Sequence, residues 1–452
     1  MSPFEERVGR TDSGQASGAR PSQAYWMPFT ANRDFRDHPR MVTGADGRYL
    51  IDEAGRRVFD SLSGLWCCGA GHNREAIRRA VDRQLGQLDY APGFQMGHPL
   101  AFELAERIAA IAPAGLDHVF FTNSGSESAD TALKMARAYW RLAGRPGKTR
   151  LIGRAKGYHG VNVGGTSAGG IVANRRHYGQ LLDMGHLPHT LQAGQAFTRG
   201  QAQSGAELAD ALLDHIALDG AETIAAVIVE PMAGSAGVIV PPEGYLQRLR
   251  AICDRHDILL IFDEVITAFG RCGAATGAEA FGVTPDIMTV AKQVTNGAVP
   301  MGAVIASHAI FDTFMQSDGP RHGIEFPHGY TYSAHPVACA AALAALELFE
   351  AEDFPAQVRA LSPAFEARLH ALRGCPHLVD IRNYGLAGAV SLAHRDGDAT
   401  IRPRDAALAL WEAGFYVRYG GDTLQFGPPF GTTETELERL FDAVATALDA
   451  LA

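Results

Sequence analysis

Only four lysines occur in this chain, Lys134, Lys148, Lys156 and Lys292, although Lys and Arg together number 40. Basic positions have gone to arginine nearly everywhere, yet Lys292 stands at the end of an apolar run in "DIMTVAKQVTNGAVPMG". Arginine carries charge and forked hydrogen bonds, but only the lysine amine can lose its proton near neutral pH and condense with a carbonyl. Lys292 is therefore a candidate for covalent chemistry.

Three other groups of residues could serve such a lysine. After the apolar run "HVFFT", "NSGSES" leads straight into the helical pattern "ADTALKMARAYWRL", so that Gly125 and Ser126 stand at a helix N-terminus. Unpaired amides, the helix dipole and a hydroxyl favour an anion such as phosphate there. The alternative is an ordinary N-cap with Glu127 in the first turn. The run "LLIFDE" ends in Asp263 and Glu264, one of which can face a pocket and hold a heteroaromatic nitrogen protonated; a solvated strand-end acid is the other reading. Tyr158 and His159, in "AKGYHG", offer an aromatic ring that either stacks on a flat cofactor or packs in a core. A phosphate site, a carboxylate for a ring nitrogen, an aromatic platform and an isolated lysine together specify pyridoxal 5′-phosphate. The glycine-rich "GAGH" follows no clean strand and is set aside, and no metal role is assigned, since "HLPH" lacks a third ligand nearby.

These groups must be positioned by regular elements. From about residue 118, short apolar runs alternate with helical periodicity: "HVFFT", "AAVIVE", "LLIFDE", "DIMTVA" and "GAVIAS" are the predicted strands. Their near-continuous hydrophobicity predicts a mostly parallel sheet covered on both faces by helices, with ligands at the strand carboxyl ends. One such helix is "EGYLQRLRAICDRHD", whose Tyr245, Leu246, Leu249, Ile252 and Cys253 share a stripe. "GRYLIDEAGRRVFD" predicts a hairpin near the N-terminus, and the region from about residue 336 reads as a smaller α+β unit.

Composition narrows the classes. A chain of 452 residues, 46% hydrophobic, can bury a large core in two or more packed domains. A net charge of −10 with interspersed signs argues against a nucleic-acid or anionic-membrane surface. Six scattered cysteines predict a reducing, cytoplasmic setting. The polar first residues lack the apolar core of a secretory signal and read as a mobile arm.

The stretch "LLIFDEVITAFGRCGAATGAEAFGVTPDIMTVAKQ" resembles the signature of the class III, fold type I, pyridoxal-phosphate aminotransferases. "WMPFTANRDF", "LSGLWCCGAGH", "FTNSGSESADTALKMARAYWRL", "FPHGYTYSAHPVACAA" and "FYVRYGGDTLQFGP" extend the resemblance over nearly the whole chain, towards the ω-amino acid:pyruvate group. It implies an α/β fold with a large domain, a mostly parallel sheet and a smaller α+β domain. The boundaries expected are residues 1–25 for the arm, 26–75 for a segment packing with the small domain, 76–335 for the large domain and 336–452 for the small one.

By resemblance, Lys292 is the lysine bonded to the cofactor and Asp263 the partner of its ring nitrogen. Gly125 and Ser126 match the phosphate cup, Tyr158 the stacking ring, Val265 the opposite ring face and Glu230 a glutamate near the phenolic oxygen. Thr331 matches a threonine that reaches the neighbouring subunit's phosphate, implying a homodimer or homotetramer with the site at the subunit interface. Trp66 and Arg418 match substrate-pocket positions. The implied reaction moves the amino group of β-alanine, or of another amine, to pyruvate and leaves malonate semialdehyde (or another aldehyde or ketone) and L-alanine. Alternatives are a transaminase preferring carboxylate-free amines or diamines, and a non-catalytic regulator. Ile266 and Gln293 stand where many class members have Gln and Gly, which bears on cofactor tuning. Ser235 stands where some members carry a glutamate that neutralises a pocket arginine, so Arg418 should stay available.

Overall fold

The computed structural model describes residues 22–451. The expected arm, 1–25, therefore falls almost wholly outside the described residues. Strands β1 (Val42–Asp46), β2 (Tyr49–Asp52) and β3 (Arg57–Asp60) form an antiparallel meander that includes the predicted hairpin.

Seven strands follow in chain order: β4 (Leu116–Thr122), β5 (Arg150–Arg154), β6 (Gly185–Leu187), β7 (Ile224–Val229), β8 (Leu259–Asp263), β9 (Ile287–Val290) and β10 (Gly302–Ser307). They form one sheet in the order β4-β10-β9-β8-β7-β5-β6, in which only β10 runs against its neighbours. Alternation explains why β7 is apolar throughout and β8 is apolar up to its terminal Asp263. Val227, Val229, Leu260 and Phe262 pack in one core with Tyr245, Leu246, Leu249, Ile252 and Cys253 of the helix Tyr245–Arg255. Ala226, Ile228 and Ile261 point the other way, onto Ala132, Leu133, Ala136 and Trp140 of the helix Gly125–Leu142. Burying both faces fixes the register, since a one-residue slip would exchange the two side-chain sets.

The last strands are β11 (Leu378–Tyr384), β12 (Ala387–Leu392), β13 (Phe415–Tyr416), β14 (Arg418–Gly420) and β15 (Thr423–Phe426). Four of them make an antiparallel sheet ordered β11-β12-β15-β14, whose core holds Phe365, Leu369, Phe426, Leu440 and Phe441. β13 instead pairs parallel with β3, placing Phe415 opposite Phe59, and Phe59 lies in the same core. The helix Pro336–Ala351 is buried from Pro336 to Leu346 and packs on Ile77 and Ala80 and on Leu104 and Ile108 of the preceding helices. An α/β unit with a mostly parallel sheet, joined to a smaller α+β unit, is the fold class expected from the sequence. Among the described residues, no helix is long and apolar enough to cross a membrane.

Candidate active site

Because the sheet is mostly parallel, its strand carboxyl ends converge on one cavity. Gly125, Ser126, Tyr158, His159, Gly160, Glu230, Ser235, Asp263, Val265, Ile266 and Lys292 line it. Residues far apart in the chain meet there because each follows a strand of the same sheet.

The helix Gly125–Leu142 opens on the cavity with its first turn. Ser124 caps it, its Oγ accepting from Glu127 N at 3.2 Å, while the Glu127 carboxylate accepts from Asn123 N at 2.7 Å. The ordinary cap is thus present, and it leaves Gly125 and Ser126 facing inward. A Cβ on Gly125 would stand 3.0 Å from the Val265 side chain. Ser126 Oγ accepts from Val161 N at 3.1 Å, and Gly160, at φ +91°, approaches so closely that a Cβ there would lie 2.4 Å from Ser126 Oγ. Glycine at position 160 is required by both conformation and space.

The two acids after β8 take different tasks. Asp263, 5% exposed, turns into the cavity: Oδ2 meets His159 Nδ1 at 2.8 Å, and Oδ1 accepts from Val265 N and Thr289 Oγ1, each at 3.2 Å. Glu264, fully buried, turns away and caps the short helix Gly277–Phe281, accepting from Gly277 N, from Ala278 N at 2.7 Å and from Thr267 Oγ1 at 3.0 Å. Burial pushes the Glu264 carboxyl up to about 7 in spite of these donors. Glu230, after β7, accepts from Tyr158 N at 2.9 Å and Gly234 N at 3.1 Å. Desolvation raises its pKa to about 7, against the opposing field of His159 and with the Asp263 charge adding to the rise.

Lys292 follows β9 in a left-handed backbone conformation, φ +50°, which begins a short turn, Lys292–Thr295. Non-glycine residues seldom adopt this region, and neighbouring contacts hold it here. Gln293 Oε1 accepts from Gly69 N at 2.7 Å, Asn296 Oδ1 accepts from Ala70 N at 3.0 Å, and Asn296 Nδ2 donates to Gly71 O at 2.8 Å. Gln293 therefore points away from the cavity, and the glycine loop 69–72 is a clasp on the lysine turn. The sequence assigned neither role. The Lys292 amine has no hydrogen bond or ion pair among the described residues. Desolvation lowers its pKa, the nearby Cys67, Asp263 and Glu230 oppose that change, and Arg418 reinforces it.

Tyr158 and Val265 border the same cavity. Burial raises the Tyr158 phenol pKa, and the positive charge of Arg418 partly offsets this. Arg418 does not line the cavity, but it is close enough to influence both Lys292 and Tyr158. On β14 it stands opposite Gln425 of β15. Gln425, 0% exposed, donates to Ser235 O at 3.1 Å and leaves its own Oε1 without a partner among the described residues. The half-buried Arg418 guanidinium also has no ion pair or hydrogen bond among the described residues. Ile266 is packed against Gly234, where a Cβ would meet Ile266 Cδ1 at 2.5 Å.

Trp66 and Thr331, like Arg418, do not line the cavity. Trp66 is 2% exposed, with Gly427 against its ring and the Arg271 guanidinium 5.6 Å over it, so it is a core residue beneath the loop that carries Cys67. Thr331 is exposed, and its carbonyl accepts from Tyr90 Oη at 3.0 Å. His159, the partner of Asp263, was noted in the sequence only beside Tyr158; its role depends on two loops 104 residues apart.

The residues fit pyridoxal 5′-phosphate. Gly125 and Gly160 keep the helix N-terminus open where a Cβ would close it, and the donors there suit a phosphate. Asp263 is a buried carboxylate without a Lys or Arg partner among the described residues, a chemistry matched by a protonated ring nitrogen. The Lys292 amine has no partner among the described residues, and burial lowers its pKa.

The comparisons agree with this chemistry. Residues 30–448 match the family model "Aminotransferase class-III". The chain is 66% identical over 431 residues to a β-alanine–pyruvate aminotransferase of Pseudomonas aeruginosa, covering 95% of this chain and 96% of that one. It is 60% identical to an ω-amino acid–pyruvate aminotransferase of Pseudomonas putida, with 95% and 96% covered. Among solved structures it superposes with a TM-score of 0.87, at 37% identity, on an amine transaminase from an uncultivated Pseudomonas species in its cofactor-bound, internal-aldimine form, over 95% of this chain and 99% of that one. The chain belongs to the class-III aminotransferases and uses pyridoxal 5′-phosphate as its cofactor.

Proposed function

We propose that this aminotransferase takes its amino group from an ω-amino acid, with β-alanine the preferred donor, and passes it to pyruvate, leaving malonate semialdehyde and L-alanine. The observation that carries the reading is the Arg418 guanidinium, without an ion pair among the described residues, on the strand opposite Gln425, which is anchored to Ser235 in the loop 231–240; that loop contains no acidic residue. A planar fork of donors there suits the carboxylate shared by β-alanine and pyruvate.

The bound cofactor supplies an aldehyde that exchanges amines and a ring that accepts electrons. Lys292 would hold it covalently. Freed by amine exchange, Lys292 Nζ would carry the proton in both halves: off the donor's amine-bearing carbon and onto the cofactor in the first, with water releasing the aldehyde, and off the cofactor and onto the carbon that becomes that of alanine in the second. Burial lowers the Lys292 pKa, the direction that favours Nζ as a base. Asp263 would hold the ring nitrogen protonated, with His159, Thr289 and Val265 fixing its carboxylate. Tyr158 and Val265 would sandwich the ring, Glu230 would stand by its phenolic oxygen, and Gly125 and Ser126 would hold the phosphate. The exposed Thr331, among the exposed aromatics Tyr90 and Tyr332, would complete the phosphate cup of a second chain, making the active unit at least a homodimer. Trp66 is given a supporting place under Cys67. We assign residues 76–335 to the catalytic domain and 26–75 with 336–452 to the smaller one, and place the enzyme in the cytoplasm.

A donor panel with pyruvate as acceptor tests the reading. Alanine should form fastest with β-alanine; faster formation with 1-phenylethylamine or a diamine would overturn the substrate assignment while leaving the aminotransferase chemistry in place.

A further inference from the structure

At the amino-terminal end of β4, away from the cavity, the chain gathers a second group of donor atoms. Asp117 and His118 are near the start of β4, and its antiparallel partner β10 sets Ala306 opposite His118 before the chain turns into the helix His308–Met315. His308 is thereby brought beside His118. Their ring nitrogens, His118 Nε2 and His308 Nδ1, are 3.1 Å apart. Asp117 Oδ1 is 3.3 Å from His118 Nε2, and Asp117 Oδ2 is 3.8 Å from His308 Nδ1. A tetrahedral ion with bonds of about 2.0 Å holds its ligands about 3.3 Å apart. One donor atom from each of the three residues lies within 4.8 Å of the other two, close enough for a single ion to draw them to that spacing.

The support around these atoms points the same way. His308 uses its other nitrogen, Nε2, on Asp312 Oδ2 at 3.2 Å, the carboxylate–imidazole arrangement that orients a metal-bound histidine and raises its basicity. His118 is held by Phe311, whose ring stacks on it at 3.7 Å and 5°. A simple hydrogen bond between two neutral imidazoles would account for the 3.1 Å separation, but it would need neither the third donor nor Asp312.

We propose that Asp117, His118 and His308 bind a divalent late transition-metal ion, with Zn²⁺ the best match, and that Asp312 positions His308. Two imidazoles and one carboxylate leave the fourth position to water. The donor set disfavours Mg²⁺ and Ca²⁺, which prefer oxygen ligands in larger number. The ion would clasp the edge strand β4 to the helix His308–Met315. At about 3.3 Å per strand residue the site is about 20 Å from Gly125, so it takes no part in amino transfer.

The test uses the holoenzyme, freed of metal with a chelator and titrated with Zn²⁺ against a chromophoric competitor, beside His308→Ala and Asp312→Asn. His308 is on the surface, so its variant should fold and keep the wild-type transamination rate. The wild type should bind one Zn²⁺ per chain more than His308→Ala, its melting temperature should rise with Zn²⁺ but not Mg²⁺, and Asp312→Asn should bind roughly 10- to 100-fold more weakly. Equal stoichiometry in wild type and His308→Ala would overturn the site; unchanged affinity in Asp312→Asn would overturn the role given to Asp312.

Discussion

Replacing Arg418 with alanine separates a carboxylate-binding arginine from a structural one. Arg418 has no protein counter-ion among the described residues, so its removal orphans no protein charge, and any loss of rate must come from the substrate. A fully desolvated pair is worth about 2 to 5 kcal/mol and an exposed one about 0 to 1 kcal/mol. Arg418 is half-buried on a strand whose neighbour Gln425 is anchored to Ser235, which argues for a value of about 2 to 3 kcal/mol. That is roughly a 30- to 150-fold fall in kcat/KM for β-alanine and for pyruvate. The first half-reaction of 1-phenylethylamine, which has no carboxylate, should be nearly unchanged. Stopped-flow loss of the cofactor's visible absorbance with each donor, in wild type and variant, reads the difference directly. Arg418→Lys should recover only part, because a point charge lacks the fork. Equal losses for both donors would refute the reasoning and move the carboxylate site elsewhere.

Asp263→Asn should keep the cofactor bound but slow proton abstraction about a hundredfold or more, since an amide cannot hold the ring nitrogen charged; near-unchanged single-turnover rates at full occupancy would count against the assignment. Gly160→Ala should weaken cofactor binding at least roughly tenfold in a fluorescence titration, from left-handed strain plus a Cβ 2.4 Å from Ser126 Oγ, whereas wild-type affinity would show that the phosphate lies elsewhere. Glu264 titrates near 7 in the fold against 4.5 ordinarily, so the folded chain holds a proton that the unfolded chain has lost between those values. Its contribution to stability is full below 4.5 and is lost as pH rises through 7. Glu264→Gln cannot ionise, and its melting temperature relative to wild type should climb between about pH 5 and pH 8; a constant difference would mean that Glu264 stays ionised throughout.

Legibility in the sequence followed the range of the interactions. The strands β7, β8 and β9 were readable because burial on both faces writes a nearly continuous apolar run, broken only by Asp263 and Thr289, and the helix Tyr245–Arg255 because a 3.6-residue stripe is local. The sequence could not choose between Asp263 and Glu264: both follow the same strand, and the decision rests on the helix Gly277–Phe281, which offers its amides to one of them. The glycine loop 69–72 was set aside for want of a preceding strand, because its partners, Gln293 and Asn296, come more than two hundred residues later. The pairing of His118 with His308, 190 residues apart, has no spacing signature at all. Trp66 was placed in the substrate pocket through the resemblance, and its burial against Gly427 depends on a strand end that no local pattern connects to it.

The central claim is that Lys292 alone carries the cofactor. Borohydride reduction of the holoenzyme, digestion and peptide mapping by mass spectrometry tests it directly. The reduced cofactor should be found on the peptide containing Lys292, and Lys292→Ala should show neither the adduct nor turnover. Attachment at Lys134, Lys148 or Lys156, or transamination surviving in Lys292→Ala, would contradict the account.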